Sequence, residues 1–156
     1  RDHQDYMIQK ACELGVTDFY PLKTQHSSVA QLNTERLGAI AREAAEQSER
    51  LAVPRFMPIQ PLLTAITDLD CQAQIFACLE NGRAQPIADA IPHGKPELTP
   101  IILIGPEGGF SDEEMTALGN CASVIPVSLG PRILRADTAA IAALSCWQAL
   151  RGDWRS

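Results

Sequence analysis

The chain has 156 residues, 46% of them apolar and 21% charged, which fits one globular domain with its own core. No apolar run approaches the ~20 residues that cross a bilayer, and no signal-peptide pattern opens the chain. A net charge of −6 excludes a nucleic-acid binder that works by bulk positive charge, although it leaves room for one local arginine-lined site.

Five cysteines (Cys12, Cys71, Cys78, Cys121, Cys146) form no C-x-x-C pair, and His3, His26 and His93 stand at no metal-ligand spacing to them. Buried thiols in a reducing cytoplasm are the expectation, with no metal and no disulfide. The first residues, "RDHQDYM", lack an initiator methionine, so a piece of a longer protein with a preceding domain is also expected.

In chain order, residues 6–15, "YMIQKACELG", carry apolar side chains at 7, 8, 11 and 14, one helical face with Gly15 placed to end it. "VTDFYPL" alternates like a strand. "LNTERLGAIAREAAEQSERL" predicts a helix opening at Asn33 or Thr34 and running to about Arg50, with Leu37, Ile40, Ala41, Ala44 and Ala45 in one stripe. "QPLLTAIT" predicts a short helix with proline near its start. "AQIFACLE" and "TPIILIG" read as buried strands, and "ENGRAQPIADAIPHGKPEL" as a long, irregular, mobile surface connection. "SDEEMTAL" predicts a helix with a capping box between Ser111 and Glu114. "ASVIPVSLG" is a further strand and "DTAAIAALSCWQALRG" a closing helix. Strands alternating with helices imply an α/β fold with a mainly parallel sheet covered on both faces.

Two loops stand out. In "IILIGPEGGFSDEE" a glycine-rich turn follows a strand and precedes a capped helix. Ligands of open α/β sheets bind beyond the carboxyl ends of strands, where this turn lies. Either it is only a tight connection, or Gly105, Gly108 and Gly109 let the backbone approach a ligand. No lysine follows the glycines, and the dinucleotide spacing G-x-G-x-x-G is absent. Glu107 would repel a phosphate, so a phosphate-free ligand fits better. The second loop, "VSLGPRILRADTAAIAAL", places Gly130 and Pro131 at a turn, then Arg132 and Arg135, then Asp137 and Thr138 as helix caps. Those arginines flank Ile133 and Leu134 between two core elements, which favours a site role over a merely solvated surface.

Together "IGPEGGFSDEE" and "LGPRILRADTA" resemble the RsmE family, the 16S ribosomal RNA uridine N3-methyltransferases of the SPOUT superfamily. "EAAEQSERLAVP" and "IQKACELGV" are similar to that family's segments as well, so the match runs along nearly the whole chain. Two departures exist. Asp137 stands where the family usually has glutamate, and "KTQHSSV" lacks the arginine common before the serine–valine pair, which puts the roles of His26 and Ser27 in question.

The resemblance implies a SPOUT-type catalytic domain over residues 1–156 with a C-terminal deep trefoil knot, a homodimer, a cytoplasmic location and a PUA-like RNA-binding domain elsewhere in the full-length protein. It also implies bound S-adenosylmethionine and a 16S ribosomal RNA substrate, met within the small ribosomal subunit. The cofactor set is then Leu79, Glu80, Leu103, Ile104, Gly105, Pro106, Glu107, Gly108, Gly109, Leu129, Gly130, Ile133, Leu134 and Thr138. Glu107 either favours the sulfonium cation, caps a turn or binds ribose. Arg135 and Arg132 are candidates for stabilising a uracil anion or gripping phosphate. Asp137 is either a base or a helix cap, and Arg50, Gln47 and His26 are candidate RNA contacts. Two rival readings stay open: a non-catalytic RNA-binding or ribosome-assembly module with the same fold, and a generic nucleotide-binding domain.

Overall fold

The computed structural model describes residues 2–27, 32–69, 72–79 and 84–155. Its centre is a four-stranded sheet of β5 (Ala73–Cys78), β6 (Gln85–Pro86), β7 (Thr99–Ile104) and β8 (Val124–Ser128). The order is β6-β8-β5-β7 and every pair is parallel. Successive side chains of β5 point to opposite faces. Ile75 and Ala77, with Leu103, pack under Leu62 and Ile66 of α3 (Leu62–Leu69) and Leu118 of α5 (Asp112–Asn120). Phe76 and Val127 pack on the other face with Ile87 and Ala90 of α4 (Ile87–Ala90), Ile91, and Ala143 of α6 (Ala136–Leu150). Helices on both faces explain why "AQIFAC" is buried at its first five positions and apolar apart from Gln74, whose Oε1 accepts from the Lys95 amide at 2.8 Å. The expected parallel α/β arrangement holds.

Pro126 lies inside β8, opposite Ala77 of β5. It is tolerated because the carbonyls of Ser123 and Val127 accept from Ile75 and Leu79 on β5, so the alternate residue 126 turns away from that ladder. On its far side, among the described residues, β6 pairs with Val127 and Ser128 and not with Pro126.

The N-terminal third packs α1 (Asp2–Glu13) against α2 (Thr34–Gln47) and α6. α1 begins before the predicted residue 6. It stops as expected at Gly15, whose φ of +89° suits glycine, with the Val16 amide donating to the Ala11 carbonyl at 3.0 Å. The Asn33 side chain accepts from the Arg36 amide and caps α2. α2 ends at Gln47 rather than near 50, because Glu49 takes a φ of +57° and the Arg50 amide turns back to the Ala45 carbonyl at 2.8 Å. The single strand expected in "VTDFYPL" is two, β1 (Asp18–Phe19) and β2 (Leu22–Lys23), broken at Pro21, which has no N–H for a ladder. They run parallel to β3 (Arg55–Phe56) and β4 (Gln60–Pro61), and Phe19 stacks on Phe56 at 4.8 Å.

The largest correction concerns the connection read as a mobile surface segment. Its described part, 84–98, forms β6, α4 and a 3-10 turn at Ile91–His93. Ile87, Ala90 and Ile91 are buried against the Phe76 face. Pro86 immediately precedes the helix, where a missing N–H costs nothing.

Candidate active site

In β5, Cys78 sits in register with Ile104 of β7 on one side and Val127 of β8 on the other. Leu79, Gly105 and Ser128 therefore leave the sheet side by side at its carboxyl edge. The Leu79 amide donates to the Val127 carbonyl at 3.0 Å, which ties this edge together. The turns at 105–109 and 129–134 thus stand either side of the end of β5, two strand spacings or roughly 10 Å apart.

The glycine turn is built by its neighbours. The Gly109 amide donates to the Pro106 carbonyl at 2.9 Å, and Gly109 has φ +71°. A Cβ on Gly105 would come within 3.0 Å of the Phe110 ring, and one on Gly108 within 3.0 Å of the His26 Cβ. The ring Nδ1 of His26 lies 3.1 Å from both the Gly108 and Gly109 carbonyl oxygens, so it carries the hydrogen and donates to them. Behind the turn the predicted capping box is present: Ser111 Oγ accepts from the Glu114 amide and Glu114 Oε2 from the Ser111 amide. Glu114, 6% exposed, has a second task. Its Oε1 accepts from the Gln25 amide at 2.9 Å, locking the His26 segment onto the turn.

In the second loop Gly130 has φ +103° and its amide donates to Ser128 Oγ at 3.1 Å. Leu129 packs into the Phe76 face, Leu134 is half-buried, and Ile133 is 82% exposed. Arg132 and Arg135 are exposed. The expected caps are corrected: the N-cap of α6 is Arg135, with no side-chain cap bond, and Asp137 and Thr138 lie within the first turn. Asp137 Oδ1 accepts from the Thr138 amide at 2.8 Å. Its Oδ2 meets His3 Nδ1 at 3.0 Å, and the other ring nitrogen of His3 accepts from Arg135 Nη1 at 3.0 Å. Foremost the His3 bond, then the Thr138 amide, hold the Asp137 carboxyl below its ordinary value. Sequence reading missed His3, which is 134 positions from its partner.

Two predicted residues are brought elsewhere. Arg50 donates through Nη1 to the Cys12 and Val16 carbonyls at 2.6 and 2.8 Å, closing the C-terminal end of α1. His3 lies nine residues back along that helix, or roughly 14 Å. Gln47 is exposed at the end of α2, and Thr138 is exposed. Glu80 and Cys71 lie outside the described residues. Among the described residues there is no cluster of three or more metal ligands, and no helix is long and apolar enough to cross a membrane.

The Cys78 thiol, next to Leu79, is pushed up from 9.0 to about 12, first by burial and then by Cys146. The unfolded thiol ionises first, so this contribution to stability is complete below pH 9 and is lost as pH rises towards 12. Urea denaturation from pH 8 to 11 is expected to show a steeper alkaline decline for the unaltered chain than for Cys78→Ala.

These features fit a phosphate-free, partly apolar ligand that carries positive charge. Leu79, Leu103, Ile104 and Leu129 supply apolar surface beside backbone polar groups, Glu107 is an exposed carboxylate, and no lysine stands in either turn. The fold and this edge define a class: a parallel α/β domain whose two glycine-bearing loops leave one sheet edge beside an arginine–histidine–aspartate cluster. The chain belongs to the RNA methyltransferase domain family, whose profile matches residues 1–148. It is 37% identical over 169 aligned positions to ribosomal RNA small subunit methyltransferase E of Bacillus subtilis, covering 97% of this chain and 64% of that protein. The Rickettsia conorii protein of the same name is 36% identical, with 88% and 56% covered. A crystal structure of ribosomal RNA small subunit methyltransferase E from Neisseria gonorrhoeae bound to S-adenosyl methionine superposes with a TM-score of 0.86 at 31% identity, over 96% of this chain and 62% of that one. The RsmE resemblance read from the two loops holds, and the chain spans less than two thirds of these relatives' length.

Proposed function

We propose that this chain is the catalytic portion of an S-adenosylmethionine-dependent ribosomal RNA methyltransferase, acting on N3 of a uridine in 16S RNA. The observation that carries the reading is the register of Cys78 between Ile104 and Val127, which aligns the two family loops at one sheet edge. The likeness to the Neisseria protein bound to S-adenosyl methionine supports it.

In this reading backbone groups of 105–109 and 129–134 hold adenine and ribose, with Leu79, Leu103, Ile104, Leu129, Ile133 and Leu134 against the ring. Pro106 and Thr138 border the same cleft, Glu80 is assigned to the cofactor from the family resemblance alone, and Glu107 is suited to the cationic end. The bound cofactor supplies a methyl group on a positively charged sulfur. The chain must orient the uracil, help N3 lose its proton and stabilise the anion so formed. Arg135 serves that charge and Arg132 grips an RNA phosphate. His26 and Gln47 are assigned to RNA, and Arg50 holds the end of α1. The exposure of Ile133 is consistent with a partner subunit or ligand covering it, as a homodimer requires. The C-terminal knot, the cytoplasmic location, the small-subunit context and a separate RNA-binding domain belong to the same proposal.

Titration calorimetry with S-adenosylmethionine tests it, the expected result being saturable one-to-one binding per chain. No detectable heat, with ATP or NAD binding instead, would refute it. Cofactor binding without methyl transfer to small-subunit RNA would point to an assembly module.

A further inference from the structure

Resting on that reading, we infer that His3 is the general base that removes the N3 proton, with Asp137 as its orienting carboxylate. The tautomer follows from the partners. A guanidinium can only donate, so the nitrogen facing Arg135 Nη1 at 3.0 Å carries a lone pair, and the other nitrogen bears the hydrogen donated to Asp137 at 3.0 Å. An imidazole held this way by a carboxylate presents a proton acceptor of fixed direction. The side chain of His3 is 67% exposed whereas that of Asp137 is 13% exposed. Both carboxylate oxygens of Asp137 are engaged, one by His3 and one by the Thr138 amide. The aspartate is therefore a poor proton acceptor, and the exposed histidine is the group a substrate can reach.

Arg135 occupies the lone pair and marks where a polar substrate edge fits. A uracil entering there displaces the guanidinium, which remains beside the ring oxygens that gain charge. His3 Nε2 takes the N3 proton while the N3 electron pair forms a bond to the methyl carbon. The methyl–sulfur bond breaks with its electrons going to sulfur, the donor leaves as a neutral thioether, and the imidazolium returns its proton to water. Among the described residues, the charged groups bonded to His3 are Asp137 and Arg135 at the start of α6, while Arg36 of α2, the other helix packed on α1, is engaged by Asp5.

The variant His3→Gln separates base from mere positioning, because an amide offers one donor and one acceptor yet takes up no proton. Under single-turnover conditions with the chain in excess over small-subunit RNA, His3→Gln is expected to lose about 10²–10⁴-fold in methyl transfer. Its calorimetric affinity for S-adenosylmethionine should be unchanged, and added imidazole should restore part of the rate to His3→Ala. Independently of activity, a long-range proton–nitrogen NMR spectrum of the histidine-labelled chain should show His3 with hydrogen on Nδ1 and none on Nε2. A His3→Gln rate within about threefold of the unaltered chain, or hydrogen on Nε2 instead of Nδ1, overturns the assignment and leaves the methyltransferase reading standing. Absence of S-adenosylmethionine binding by the unaltered chain brings down both.

Discussion

Arg135→Ala is expected to lower methyl transfer to small-subunit RNA by about 10²–10³-fold, the usual effect of deleting one donor aimed at developing charge. Its guanidinium stands at the first turn of α6, in contact with His3 and two residues from Asp137, so it is the nearest fixed cation to any base placed there. Deprotonated uracil spreads its charge over the ring oxygens, and a planar donor pair matches that distribution better than a point charge. Arg135→Lys should therefore recover only part of the rate. Arg132 is exposed and, among the described residues, has no carboxylate within ion-pair distance. Its removal should act mainly on RNA affinity, reducing the salt dependence of binding by about one phosphate contact. Single-turnover rates beside filter-binding curves at several salt concentrations separate the two arginines. A rate for Arg135→Ala close to that of the unaltered chain would remove Arg135 from the chemistry.

What the sequence made legible was local. "AQIFAC" became β5 because burial on both faces leaves a run that is apolar but for Gln74, whereas "TPIILI", read as a buried strand, is the edge strand β7, with Thr99 and Pro100 exposed and Leu103 alone buried. Ser111 and Glu114 are three residues apart, so their reciprocal bonds follow from helix geometry. The positive φ of Gly109 and Gly130 fits what turns after strands require. What escaped was set by long-range packing. The prolines at 86 and 92 suggested an irregular surface strand of chain, yet Ile87, Ala90 and Ile91 fill the space beside Phe76. The polar look of Arg50 suggested RNA, yet the end of α1 leaves carbonyls that its guanidinium satisfies. His3 meets Asp137 only because α1 packs along α6, a contact that no spacing rule within either helix encodes.

Glu114→Ala is expected to cost about 2–4 kcal/mol of stability, since hydrogen bonds to a charged group contribute roughly 1.5–3 kcal/mol and orphaned buried donors add to the loss. The carboxylate accepts from the Ser111 amide inside its own helix start and from the Gln25 amide 89 positions away. Ser111→Ala removes only the cap acceptor and should cost about 1 kcal/mol. Glu114→Gln should cost nearly as much as alanine, because its amide nitrogen sets a donor against one of two donors. The difference between the serine and glutamate variants measures the bridge rather than the cap, and urea midpoints read it directly. The bridge also governs the site. Gln25 precedes His26, and His26 holds the Gly108 and Gly109 carbonyls in a turn packed so closely that a Cβ at Gly108 would come within 3.0 Å of the His26 Cβ. Freeing Gln25 therefore loosens the glycine turn itself, and Glu114→Ala should weaken S-adenosylmethionine binding while Ser111→Ala leaves it nearly unchanged. Equal cofactor affinity in both variants would mean that the turn keeps its shape without the His26 segment, and that the buried carboxylate serves the fold alone.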